Sequence, residues 1–170
     1  LERVCQRQGY PFADRYTEMF IQAVVDAALA GQNAAVAAES LGLGICFVGG
    51  IRNHVLEVAR LLKLPPRTFA LFGLTVGYPA HQPKIKPRLP AEVTVHREEY
   101  SEAGLEEGLA AYDSIMAQTG IYKDREVQVD GQPGATRLYG WCEHSARRMA
   151  KPHPLRRNMK EMLEQLGWEF

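Results

Sequence analysis

The segment Gly42-Leu-Gly-Ile-Cys-Phe-Val-Gly49-Gly50-Ile-Arg52-Asn53 imposes a fixed order of structure on this chain. Two glycines close a preceding helix, a short apolar run makes a strand, a glycine pair turns the chain, and a new helix begins. The glycine pair has two readings. It can be a tight strand-to-helix turn that needs positive φ. It can also let backbone N–H groups approach a flat or anionic ligand with no Cβ in the way, beside the positive end of a helix. A dinucleotide fingerprint is excluded by order. It needs a strand, then Gly-x-Gly-x-x-Gly, then a helix, whereas Gly42 and Gly44 follow a helix and precede the strand.

Upstream, a long helix is predicted from Tyr16 or Thr17 to about Leu41. Phe20, Val24, Ala27, Ala34, Ala38 and Leu41 recur at helical spacing, and alanines cover much of the remaining circumference. Such a helix is expected to be buried on most sides, with small residues admitting close neighbours. Asp26, Gln32, Asn33 and Glu39 interrupt it, so a membrane span is not expected. Leu1 to Arg15 is polar, is broken by Gly9 and Pro11, reads as a loop and carries no secretory or transit signature.

Downstream, Ile45 to Val48 reads as a buried strand. Asn53 is a candidate cap for a helix from about His54 to Lys63, which Pro65-Pro66 forbids from continuing. Thr68 to Val76 is β-rich, Ala80 to Pro90 is a proline-punctuated loop, and Val93 to His96 reads as extended. Glu102 to Gln118 reads as a helix, Thr119 to Thr136 as a polar mobile loop, and Gly140 to Ala150 and Leu155 to Leu166 as two further helices. Helices with a few strands outside any regular β-α-β repeat make the fold class α+β.

The chain has 170 residues, one domain's worth of core, with residues 16–100 as the core and 101–170 as a helical arm. Lys and Arg total 20 and Asp and Glu total 20, so no net field recruits nucleic acid or a membrane. The 3 cysteines include no C-x-x-C pair, which suits a reducing cytoplasm, and Cys46 reads as packing. The five histidines have no metal-ligand spacing and read as surface or hydrogen-bonding residues. Trp141 and Trp168 read as helix anchors.

Several separated stretches occur in order: Ala37-Ala-Glu-Ser-Leu-Gly-Leu-Gly44, Phe47-Val-Gly-Gly-Ile-Arg-Asn53, Leu61-Leu-Lys-Leu-Pro65, Phe72-Gly-Leu-Thr-Val-Gly-Tyr-Pro79 and Lys86-Pro-Arg-Leu-Pro90. Trp141-Cys-Glu-His-Ser-Ala-Arg-Arg148 and Leu166-Gly-Trp168 extend the set. Together they resemble the type A oxygen-insensitive NADPH nitroreductases and their sister flavin reductases, within the FMN-dependent nitroreductase superfamily. The resemblance runs from about Phe20 nearly to the end. The family's N-terminal Arg-x-Ser-x-Arg phosphate motif is not in this sequence, which looks like the C-terminal two-thirds of such a protein.

The resemblance implies an α+β nitroreductase-like fold, an antiparallel or mixed sheet flanked by helices, and a long central helix in a homodimer core. It implies FMN as cofactor, NADPH as co-substrate, and two-electron reduction of nitroaromatics, quinones or free flavin by a ping-pong cycle. No catalytic acid–base residue is expected. Phe47, Val48, Gly49 and Gly50 match the stretch along the flavin edge. Lys86 and Arg88 match a basic pair on the FMN phosphate, and their spacing in an extended Lys-Pro-Arg can put both cations on one side. A solvated basic loop is the other reading of that pair. Arg52 is either an exposed helix-start residue or a contact for substrate or nicotinamide. Arg125 and Arg137 fall where relatives bind the 2′-phosphate of NADPH, and Arg156 near a substrate-channel arginine. Arg147, Arg148, Lys151, Arg157 and Lys160 read, with Arg156, as a solvated face. The alternative function is a non-catalytic flavin-binding or dimerisation module, and a third reading is a flavin-free helical interaction domain.

Overall fold

The computed structural model describes residues 1–81, 84–129 and 131–170. The chain divides into two compact units, one made of Leu1–Gln82 with His153–Phe170 and the other of Pro83–Pro152. The elements confirm an α+β class with antiparallel pairing throughout.

In the first unit, helix α1 spans Glu2–Gln8 and helix α2 spans Thr17–Ser40. The N-terminal stretch read as a loop is therefore partly helical. α1 buries none of its residues, so no apolar stripe marked it in the sequence. α2 has the expected bounds, and Gly42 at φ 77 closes it while Leu43 N–H bonds Ala38 O at 3.1 Å. Strand β1, Gly44–Val48, pairs antiparallel with β2, Gly73–Gly77, in the register Gly44↔Gly77 to Val48↔Gly73. Only this part of the β-rich run Thr68 to Val76 becomes strand, because β1 offers five residues of ladder.

α2 packs on both strands. Close approach is possible because Gly31 leaves room for the Phe72 ring, where a Cβ would overlap Phe72 Cζ. Phe72 in turn meets Phe47 edge-on at 5.1 Å. The expectation that α2 is buried on most sides fails in the single chain, since only Ala35 and Ala38 are buried. A 24-residue helix is about 36 Å long, and a five-residue strand covers only about 17 Å of it. Ile21, Val25, Leu29 and Val36 are left exposed. Length and apolar composition alone would let α2 cross a membrane. β1 was expected to be buried, yet Cys46, Phe47 and Val48, which alternate between the two faces of this two-stranded sheet, are all exposed. Cys46 is thus not a packing residue.

A 3-10 turn, Gly49–His54, follows β1 and leads into α3, Val55–Leu61. Helix α7, Met159–Gln165, begins later than expected. After Pro154, local bonds from Leu155 N–H to His153 Nδ1 and from Arg156 N–H to His153 O hold a non-helical turn. Trp168 is 9% exposed and meets Phe20 edge-on at 5.0 Å, in a cluster with Phe69 and Phe170, so it is the anchor it was read as. Arg67 closes the unit. It lies at φ 57, its N–H bonds Leu166 O at 2.7 Å, and its guanidinium pairs with Asp14 and Glu2.

In the second unit, α4 is a single turn, Ala91–Thr94, where an extended segment was expected. Pro90 sets its start, and Val95 N–H bonds Ala91 O at 2.7 Å. Helix α5, Leu105–Gln118, packs against α4 and against α6, Trp141–Met149. Tyr112 and Met116 are buried, and Trp141 stands edge-on to Tyr112 at 4.9 Å. The stretch read as a mobile loop holds an antiparallel hairpin, β3 Glu126–Gln128 with β4 Thr136–Leu138. Gly131 and Gly134 at positive φ turn it. Its strands of three residues are too short to show alternation. Asp130 of that stretch, and Gln82 and Pro83 of the earlier proline-punctuated loop, lie outside the described residues.

Candidate functional site

Gly49 and Gly50 open the 3-10 turn directly after Val48. Neither glycine is among those at positive φ, so the tight-turn reading does not explain the pair. Space does. A Cβ on Gly49 would press on Arg52 Nη2 at 3.3 Å. A Cβ on Gly50 would meet only Val48 Cγ1 at 4.0 Å, so the Cα of Gly50 borders open space. Phe47, 41% exposed, and Val48 border that opening on β1.

Two arginines bracket the turn. Arg52 is half-buried and donates from Nη1 to Leu71 O, which holds its guanidinium across Gly49. It is not the freely exposed helix-start residue of the alternative reading. Arg156 donates from Nη2 to Gly49 O at 2.8 Å and from Nε to Asn53 Oδ1 at 2.8 Å. Asn53 was expected to cap α3. His54 takes the N-cap position instead, and the Asn53 amide oxygen accepts from a side chain 103 residues away. Arg156 also leaves the solvated basic face to which it was assigned. A separate cavity of about 440 Å³ beside this turn is lined by Asn53, His54, Glu57, Arg60 and Met162, among others.

In the second unit, Lys86 and Arg88 are exposed, and neither is in an ion pair among the described residues. The buried Tyr112 donates its hydroxyl to Pro87 O at 3.2 Å, so α5 fixes the middle of the Lys-Pro-Arg tripeptide. Arg125 lies over the Tyr139 ring at 5.6 Å. Arg137 pairs with Glu143, whose carboxylate side chain is 10% exposed and also lies 3.7 Å from Arg147 Nε. These three residues line a polar cavity of about 480 Å³ with Glu126, Val127, Gln128 and Val129. Tyr139 OH and His144 Nδ1 are 2.8 Å apart beside Tyr122. Burial pushes the Tyr122 phenol above its usual range, helped by the charges of Tyr112, Tyr139 and Asp113. Burial also raises the Cys142 thiol, followed by the Asp113 carboxylate that accepts the Cys142 N–H at 2.9 Å. Asn53 and Tyr112 carry no sequence signal of their roles, because each acts through a partner distant in the chain, whereas Glu143 and Arg147 form a local pair four residues apart on one helix.

The sequence profile of the nitroreductase family matches residues 7–78, and that of the nitroreductase family's C-terminal domain matches residues 86–170. The chain belongs to the nitroreductase family. Among its relatives is the oxygen-insensitive NADPH nitroreductase of Salmonella typhimurium, 42% identical over 151 residues, covering 89% of this chain and 58% of the relative. The FMN reductase (NADPH) of Bacillus subtilis is 51% identical over 85 residues, 50% of this chain and 34% of that protein. The solved structure of NfrA1 from B. megaterium superposes with a TM-score of 0.82 at 37% identity, over 99% of this chain and 66% of the other. This chain thus spans little more than half the length of the Salmonella relative. Gly49, Gly50 and Arg52 fall within the first profile, and Lys86, Arg88, Arg125, Arg137 and Arg156 within the second.

Proposed function

We propose that this nitroreductase-family chain serves an FMN-dependent NAD(P)H oxidoreductase that reduces nitroaromatics, quinones or free flavin by ping-pong two-electron transfer. One observation carries the reading: the open backbone edge at Gly50, free of Cβ and bracketed by the guanidinium groups of Arg52 and Arg156. A planar anionic ring system fits that edge, and relatives named as an NADPH nitroreductase and an FMN reductase support it. Bound FMN would supply the two-electron carrier between NADPH and the acceptor.

The protein's part is to bind and orient. The backbone of Gly49 and Gly50 lies along the ring edge, with Phe47 and Val48 packing beside it. Lys86 and Arg88 hold the 5′-phosphate, Arg as a fork and Lys as a point charge. Their lack of carboxylate partners among the described residues suits that task. Arg52 spends one donor on Leu71 O and keeps others for a nitro group, a quinone oxygen or the nicotinamide. Arg125 and Arg137 take the 2′-phosphate of NADPH, with Glu143 as the competing anion at Arg137. The exposed Ile21, Val25, Leu29 and Val36 of α2 suit burial against a second copy in a homodimer. Three free cysteines suit a cytoplasmic location.

The test is the visible spectrum of the purified protein after FMN is added and unbound FMN is removed by gel filtration, then bleaching by NADPH under nitrogen and reoxidation by menadione. Flavin bands that bleach support the enzyme. Flavin bands without bleaching assign the chain to a non-catalytic flavin-binding module. A preparation that stays colourless refutes both.

A further inference from the structure

We propose that Arg156 is a positioning residue that clamps the glycine turn and holds the Gly50 N–H pointing away from its own guanidinium. The inference rests on the flavin reading above and gives Arg156 a different task from touching substrate.

The two acceptors of Arg156 sit near opposite ends of the 3-10 turn Gly49–His54. Nε and Nη2 form one edge of the planar guanidinium, so a single rigid fork spans the turn at 2.8 Å on both prongs. A lysine ammonium has no such edge. The Gly49 carbonyl belongs to the same peptide unit as the Gly50 N–H. That unit is planar and trans, so its C=O and N–H point in opposite directions. Holding Gly49 O toward Arg156 therefore fixes Gly50 N–H on the far side. Among the described residues that N–H has no backbone acceptor outside the turn, and a Cβ on Gly50 would meet nothing closer than Val48 Cγ1 at 4.0 Å. A cation on the carbonyl also polarises the peptide and strengthens its N–H as a donor. Two of the guanidinium's three nitrogens are already committed to this clamp.

The experiment compares wild type with Arg156→Gln, Arg156→Lys, Asn53→Ala and the double variant Arg156→Gln/Asn53→Ala. Without flavin, amide exchange of residues 51–55 is expected to speed up roughly tenfold or more in Arg156→Gln, the worth of a charge-assisted bond. α5 serves as the folded control. The double variant should add little to Arg156→Gln, because both prongs belong to one clamp. With FMN bound, Arg156→Gln should shift the flavin absorption and midpoint potential. It should lower kcat in the same ratio for every acceptor with KM kept, and Arg156→Lys should recover part of the loss. Unchanged exchange at 51–55 overturns the clamp. A raised KM for one acceptor with spectrum and kcat intact shows a substrate contact and overturns it equally. A wild type that binds no FMN refutes the flavin reading alone, and the exchange measurement still decides whether Arg156 holds the turn.

Discussion

Replacing Trp168 by Phe and by Ala should give very different losses of stability, because the indole carries both an advantage and a penalty. Its ring is 9% exposed and meets Phe20 edge-on at 5.0 Å. Its Nε1 is buried with no hydrogen-bond partner among the described residues. Trp168→Ala removes the whole ring and leaves a void, at a cost of about 3–5 kcal/mol. Trp168→Phe gives up roughly 50 Å² of buried surface, about 1.3 kcal/mol at ~25 cal/mol/Å². It also deletes an unsatisfied donor whose burial costs about 1–3 kcal/mol. The two terms nearly cancel, so the Phe variant should lie within about 1 kcal/mol of wild type. Urea unfolding followed by far-UV circular dichroism, at one fixed protein concentration, measures both. With a slope of about 2 kcal/mol/M, the Ala midpoint should fall by about 2 M and the Phe midpoint should move by less than about 0.5 M. If the Phe variant falls as far as the Ala variant, the indole N–H makes a bond worth keeping, and the account of this cluster is wrong.

Tyr112→Phe removes the bond to Pro87 O and should weaken FMN binding about fivefold by loosening the tripeptide between Lys86 and Arg88, measured by fluorescence quenching of added FMN; an unchanged affinity separates the tripeptide from the phosphate. Asp113→Asn removes the negative charge that helps raise the Cys142 thiol, so its pKa should move down toward the ordinary value. Iodoacetamide should then alkylate Cys142 roughly threefold faster at mildly alkaline pH, with exposed Cys46 as the unchanged reference; equal rates at Cys142 would show that burial alone controls it. Gly31→Ala should destabilise by about 1–2 kcal/mol despite the better helix propensity, because the new Cβ presses on the Phe72 ring, and Phe72→Leu in the same chain should recover most of the loss in thermal unfolding.

What the sequence made legible was what local chemistry decides. α2 could be bounded because its periodicity ran for six turns and Gly42 supplied the left-handed stop. The strand, glycine pair and new helix came in the expected order. What stayed hidden depends on partners. α1 and the hairpin β3–β4 have too few apolar positions to announce a period. Asn53 has the residue type of a cap, and its partner Arg156 lies far along the chain, so no local pattern distinguishes a cap from a tether. The degree of burial of α2 depends on how much sheet lies over it, which no helical periodicity contains. Within the candidate site, Gly49, Gly50 and Arg52 were named from the motif, whereas the ties of Arg137 to Glu143 and of Tyr112 to Pro87 needed coordinates.

The first unit is assembled from the two extremes of the sequence, with Pro83–Pro152 inserted between them. During synthesis, Phe20, Phe69 and Arg67 leave the ribosome long before Leu166 and Trp168 are made. The inserted unit can settle first, while the earlier residues wait with an aromatic surface uncovered. Long sequence separation of this kind slows folding and favours protection by a chaperone. A premature stop codon just beyond residue 152 would therefore harm the oldest portion of the polypeptide and leave the newest one intact.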